Sequence, residues 1–240
     1  MTWRITPLAA GETIELVVHG PIGDFGVASG DVVKALLQYP RAREIRAYIN
    51  SPGGDAFAGQ AIYAALHRHQ AKVRVEVEGM AASAASLIAM AGDTIRVAQG
   101  GMIMIHDPWA MAIGAAGEFR KMADDLDRLR LSMRDVYAAR TGRDPAEVEA
   151  AMTAETWYSA EDAVAFGLAT EVLPAKRAAA SVVPAQMAAR FRNMPEMIRA
   201  ADVPPVRDAA RPGPVAADID KRLARIKARI AEQIARRLGA

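Results

Sequence analysis

Along residues 1–174 the apolar positions switch repeatedly between a period of two and a period near 3.6. "TIELVVHG" (13–20), "EIRAYINS" (44–51) and "KVRVEVEG" (72–79) read as strands, and "DAFAGQAIYAALHRH" (55–69) reads as a helix. "ASLIAMAG" (85–92) is apolar on all sides, which predicts a buried helix ending at Gly92 as its C-cap. "TIRVA" (94–98) and "GMIMIHDP" (101–108) are two further short strands. "GEFRKMADDLDRLRLSMRDVYAARTG" (117–142) is a long polar helix closed by Gly142. "DPAEVEAAM" (144–152) starts another, with Asp144 as N-cap and Pro145 at the first helical position. "SAEDAVAFGLATEV" (159–172) reads as a short helix, a turn and a last strand. Repeated strand–helix crossovers predict an α/β domain over 1–174.

Beyond it the pattern lapses. Residues 175–216 are proline-rich and weakly periodic, a flexible linker with at most a short helix at "AQMAARFRNM" (185–194). Periodicity returns over 217–240, where Ile219, Leu223, Ile226, Ile230, Ile234 and Leu238 share one face opposite Arg and Lys. That basic amphipathic helix suits packing against a partner or another copy. No aromatic residue interleaves its charges, so nucleic acid is not an expected ligand.

Charge sharpens this division. The net +2 conceals 16 basic and 22 acidic residues over 1–175, against 14 basic and 6 acidic over 176–240. Cysteine is absent, which excludes disulfides, thiolate metal sites and a thiol nucleophile. His19, His67, His69 and His106 show no metal-binding spacing, so neither metal nor cofactor is expected. No apolar run is long enough for a membrane helix and "MTWRITPLAAGETIE" has no signal-peptide pattern, which points to the cytoplasm.

Four segments carry possible chemistry. In "EVEGMAASAASLIAMAGD" (76–93) a strand runs through glycine into small residues and a helix, so Ser83 stands where a hydroxyl would be exposed beside free helix N–H groups. Small residues also pack closely, and taken alone the stretch favours that reading. In "YINSPGGDAFAGQAIY" (48–63) a strand ends in Gly53-Gly54, either an ordinary tight turn or a backbone able to approach a ligand. "MIMIHDPW" (102–109) delivers His106 at a strand end, where an imidazole can act as a general base or serve structure. In "MTAETWYSAEDAVAFGLAT" (152–170), Glu155 either orients an imidazole or sits in solvent.

These four segments, in this order, resemble the Clp protease proteolytic subunit family over about residues 12–173. "YINSPGG", "GMAASAAS", "MIHDP" and "WYSAEDAVAFGL" each match a family block. The wording "ETWYSAEDAVAFGL" and the charged C-terminal extension are most similar to the phage and prophage branch that matures capsids, the head maturation (prohead) proteases. The resemblance implies a spiral of ββα units, shared with crotonases, from which a handle helix (114–141) protrudes. It implies Ser83 as nucleophile, His106 as general base and Glu155 as the third member, at a position where ring-forming Clp peptidases usually carry aspartate. Asp107 and Asp162 are the reserve acids. The backbone N–H groups of Gly54 and Ala84 would form the oxyanion hole, and Gly53, Asp55 and Ala56 would bind an extended substrate strand. Ser86, one helical turn past Ser83, is read as packing.

The implied function is a serine endopeptidase acting on capsid or scaffold proteins inside the assembling prohead, in the host cytoplasm. Implied too is a homo-oligomeric ring, stacked through handle helices. Three alternatives stay open. One is a cellular degradation subunit fed by an AAA+ unfoldase, and another a crotonase-like acyl-CoA enzyme without a Ser–His pair. The third is a non-catalytic assembly scaffold, since fold alone does not settle function.

Overall fold

The computed structural model describes residues 3–8, 12–23, 26–174, 188 and 190–195. The expected basic helix over 217–240, and most of the stretch read as a linker over 175–216, lie outside the described residues.

Eight strands form one mixed sheet: β1 (Trp3–Leu8), β2 (Thr13–His19), β3 (Glu44–Ser51), β4 (Lys72–Ala82), β5 (Thr94–Ala98), β6 (Met102–Ile105), β7 (Thr156–Ser159) and β8 (Glu171–Leu173). The helices are α1 (Ser29–Leu36), α2 (Ala56–His67), α3 (Ala84–Ala89), α4 (Ala116–Thr141), α5 (Pro145–Thr153) and α6 (Ala160–Phe166). The main path runs β1-β2-β3-β4-β5-β8, parallel except for the β1–β2 pair. Crossover helices α1, α2 and α3 link β2 to β3, β3 to β4 and β4 to β5, as parallel pairing requires.

The arrangement that positions the site is a fork in β4. Its first half, Arg74–Val77, pairs with β5, and its last residues, Met80–Ala82, pair with β6 instead. β6 in turn pairs antiparallel with β7. Because strand side chains alternate, the fork has two apolar faces. Ala81, Ile103 and Ile105 join the main core, with alternate residues of β2, β3, β4 and β5, the body of α3, and Leu129, Met133 and Tyr137 of α4. Met80, Ala82 and Met104 face the other way, onto a small cluster completed by Phe191 and Met194. Part of the stretch read as a linker thus packs on the domain.

Several elements differ from the sequence reading. β1, α1 and β7 are additions to it: β1 is an edge strand containing Pro7, α1 buries only Val32 and Leu36, and β7 is four residues long. β4 continues three residues past Gly79 because β6 supplies ladder partners from a distant part of the chain. Gly92 is not a C-cap. α3 ends at Ala89, and Gly92 is needed for space, since a Cβ there would lie 2.8 Å from the Val75 side chain.

The long helix α4 closes at Gly142 in the left-handed conformation (φ 69°). Its C-terminal half buries Leu129, Met133 and Tyr137, whereas Phe119 and Met122 of its N-terminal half are exposed. The loop before it also exposes Met111 and Ile113, at 85% and 93%. Among the described residues no helix is long and apolar enough to cross a membrane.

Candidate active site

Ser83 sits between the end of β4 and the first residue of α3, with φ 55° and ψ −126°. A side chain other than glycine in this region is strained by about 1–3 kcal/mol and persists only where its surroundings hold it. The hold is visible. Ser83 N donates to Met104 O at 3.0 Å, and its carbonyl accepts from Ser86 N and Leu87 N. Ser83 is the N-cap of α3, yet its hydroxyl makes no capping bond. It meets the imidazole of His106 instead, with Oγ 2.8 Å from Nε2.

The glycines explain how the backbone closes around this hydroxyl. Gly53 has φ 85°, and a Cβ there would lie 2.7 Å from Ser83 Cβ and 3.0 Å from Ala84 N. Gly54 has φ 150° and passes so close to Ile22 that a Cβ would fall 2.1 Å from the Ile22 carbonyl oxygen. Ile22 N donates to Gly53 O and Asp55 N donates to Ile22 O, pinning the turn from both sides. Asp55 then caps α2 by accepting from Ala58 N at 2.7 Å. The close-packing reading of "GMAASAAS" holds as well: a Cβ on Gly59 of α2 would lie 2.9 Å from Ala84 Cβ. Small residues let α2 and α3 touch while Ser83 stays free.

His106 follows the last residue of β6 and is 5% exposed. Burial pushes its pKa below the usual imidazole value, while the charges of Glu155 and Asp107 pull it upward and that of Arg192 lowers it further. A neutral imidazole touching a hydroxyl is poised to accept its proton. The other histidines have their own partners: His19 with Glu78 at 2.7 Å, His69 with the Tyr39 carbonyl, and His67 stacked on Tyr63.

Glu155 turns from α5 into β7 with φ 51° and is 3% exposed. The antiparallel ladder ends with Ile105 opposite Thr156, so His106 and Glu155 are the residues just beyond its end, and the Glu155 charge acts on the imidazole. Among the described residues the carboxylate's hydrogen-bond donors are the backbone N–H groups of Arg192 and Asn193, not His106. The reserve acids have other donors, although Oδ1 of Asp107 is buried with no hydrogen-bond partner among the described residues. Asp107 accepts from Thr153 Oγ1 at 3.0 Å, and Asp162 exchanges hydrogen bonds with Ser159 at the start of α6. Ser86 is buried, donating to Ser83 O and sharing a hydrogen bond with the Tyr137 hydroxyl.

Ser83, His106, Gly54, Asp55 and Ala56 line one cleft of about 500 Å³. Gly53 lies behind Ser83 rather than on the cleft wall. Leu126 of the apolar stripe of α4 adds to the lining, as do residues the sequence reading did not single out for the site: Trp109, Met111, and Arg190 with Phe191 from beyond residue 174. Phe191, an aromatic residue in a polar, proline-rich stretch, was the available signal for this segment. No group of His, Asp and Glu able to hold a metal is present among the described residues.

The family model described as Clp protease matches residues 15–176. A solved structure, a point mutant of ClpP1 from Listeria monocytogenes, is similar with a TM-score of 0.60 and 25% sequence identity, covering 70% of this chain and 94% of that one. The mixed α/β fold and the long helix α4 agree with that similarity. The matched span runs from within β2 to past β8, and holds the fork of β4, the Ser83 turn and His106. By fold, motif order and extent of match, the chain belongs to the Clp protease family.

Proposed function

We propose that the chain is a serine endopeptidase in which Ser83, His106 and Glu155 are nucleophile, general base and imidazole-orienting acid. The observation carrying this reading is the 2.8 Å contact between Ser83 Oγ and His106 Nε2, at a hydroxyl held in strained backbone and released from capping. Ser83 attacks a peptide carbonyl while His106 takes its proton, which then passes to the leaving amine. Water repeats the cycle on the acyl-enzyme. The N–H groups of Gly54 and Ala84 stabilise the oxyanion; Ala84 opens α3, where helix N–H groups lack intrahelical acceptors. Loss of one such donor costs about 3 kcal/mol in the transition state. Asp55 and Ala56, on the cleft wall, bind the substrate in extended form through its backbone, which makes for loose sequence preference.

Clp proteases assemble as homo-oligomeric rings. Exposed Phe119, Met122 and Leu131 on α4 supply apolar surface for contact between copies of this chain. The finer reading is processing of capsid or scaffold proteins during phage head maturation. Its support is the wording "ETWYSAEDAVAFGL" and the basic segment over 176–240, which would recruit the enzyme into the prohead. Deleting 176–240 should abolish incorporation and capsid processing; a deletion that leaves both intact removes the recruitment role. A cellular degradation subunit is the second reading, favoured by the similarity to ClpP1. Cleavage of casein only with an unfoldase present would select it.

The direct test is a fluorophosphonate probe followed by peptide mapping, with Ser83→Ala as control. Labelling at Ser83 alone is the expected result. Labelling at Ser86 would overturn the assignment of the nucleophile.

A further inference from the structure

The carboxylate of Glu155 is nearly inaccessible to water, yet the α/β domain to which it belongs does not supply its donors. They come from residues 37 and 38 positions further along the chain. Arg192 N donates to Oε2 at 2.9 Å and Asn193 N to Oε1 at 2.7 Å, so each oxygen receives one backbone N–H. Two more hydrogen bonds fasten the same residues to the same turn: Arg192 Nη2 to Thr153 O at 3.1 Å and Asn193 Nδ2 to Ala154 O at 2.7 Å. The Arg192 guanidinium also lies 3.9 Å from the carboxylate.

On either side of this zipper an apolar side chain is sunk into the domain. Phe191 meets Trp157 edge-on at 5.5 Å and stands 6.1 Å from the His106 ring. Met194 is buried in the cluster with Met80, Ala82 and Met104. The segment is therefore anchored at four hydrogen bonds and two buried side chains, on the one turn that carries the third site residue.

We propose that residues 190–194 are a positioning strap of the catalytic centre, whose Arg192 and Asn193 backbone N–H groups hold the Glu155 carboxylate in place beside His106 while Phe191 backs the imidazole. The inference rests on the peptidase reading above. A carboxylate oxygen has two acceptor sites, so one strap N–H on each leaves capacity for the imidazole N–H. Without the strap the carboxylate would face water and its side-chain torsions would be free. A misplacement of about 1 Å at such a group can cost about a hundredfold in rate. Phe191 and Arg190 also line the cleft, so a strap that merely plugged it would behave oppositely, turnover rising when the strap is weakened.

The test uses full-length protein and a fluorogenic peptide. Asn193→Pro deletes the N–H to Oε1, and Asn193→Ala keeps it while losing the side-chain bond to Ala154. The proline variant should lower kcat about tenfold to a hundredfold with KM little changed, and the alanine variant should lose much less. In a Glu155→Ala background, itself down about 10⁴-fold, Asn193→Pro should add almost nothing. A strap that only stabilises the domain would lower kcat equally in both backgrounds, and a plug would raise it; either result overturns the proposal. Hydrogen exchange at the Arg192 and Asn193 amides reports the contact without activity. Protection in wild type, lost in Glu155→Ala, is expected, and unprotected amides in an active enzyme overturn the strap alone. Protected amides in a wild type that neither turns over substrate nor labels at Ser83 overturn the peptidase reading and the strap's catalytic role with it.

Discussion

Replacing Gly53 by alanine should damage Ser83 through the backbone. A Cβ at position 53 would lie 2.5 Å from the Ala82 carbonyl oxygen and 2.7 Å from Ser83 Cβ, where ordinary contact begins at 3.4 Å. Relief therefore needs movements of about 0.9 and 0.7 Å, directed at the residues that set the nucleophile. The positive φ of 85° adds about 1–2 kcal/mol of backbone strain for an L side chain. Together the two effects should lower stability by about 2–4 kcal/mol. At roughly 2–4 °C per kcal/mol for a domain of this size, Tm should fall about 4–16 °C. The displacement of Ser83 should slow fluorophosphonate labelling about a hundredfold. Gly100→Ala separates the effects: its φ is 82° but nothing lies within 4 Å of its Cβ, so it should lose stability through strain alone and label normally. If Gly53→Ala labels Ser83 at the wild-type rate, the claim that Gly53 sets the nucleophile is refuted, whatever its melting temperature.

Further outcomes follow from the site and from α4. Activity needs neutral His106, so the acid limb of the kcat/KM profile should have its midpoint below 6.5, and Glu155→Ala should move it lower still because the Glu155 charge raises that pKa. The same depression makes the folded state bind fewer protons than the unfolded one, so His106's stabilising contribution is present above pH 6.5 and is lost as pH falls through the folded pKa; urea titrations across that window read it. Ser86→Ala should cost about 1–3 kcal/mol by stranding the buried Tyr137 hydroxyl, with labelling retained at Ser83; unchanged stability would contradict the pairing. Phe119→Glu should shrink the oligomer seen by analytical ultracentrifugation while leaving circular dichroism unchanged, and an intact assembly would mean that this part of α4 lies outside the contact.

The order of elements and the local chemistry were legible because they depend on neighbours in the chain. Alternation in "KVRVEVEG", the Asp144-Pro145 start of α5 and the Gly142 stop of α4 each express a short-range preference, and the structure has all three. The identities of Ser83 and His106 as candidates were equally local, resting on four ordered motifs. Their meeting was not. It requires β4 to leave β5 after Val77 and pair with β6 from Met80, a choice made by ladder partners some twenty residues away.

Glu155 marks the same division. Its carboxylate and its distance from Ser83 in sequence were readable, but neither the strand it leads into nor what it touches was. Its donors lie in a stretch whose prolines and scattered charges have no period, and backbone N–H groups carry no sequence signature. Only the tertiary structure, by opening an apolar pocket behind the fork for Phe191 and Met194, brings those N–H groups to the buried carboxylate. Composition and periodicity settle what a segment can become by itself; burial, which needs the rest of the chain, decides which polar groups must find each other.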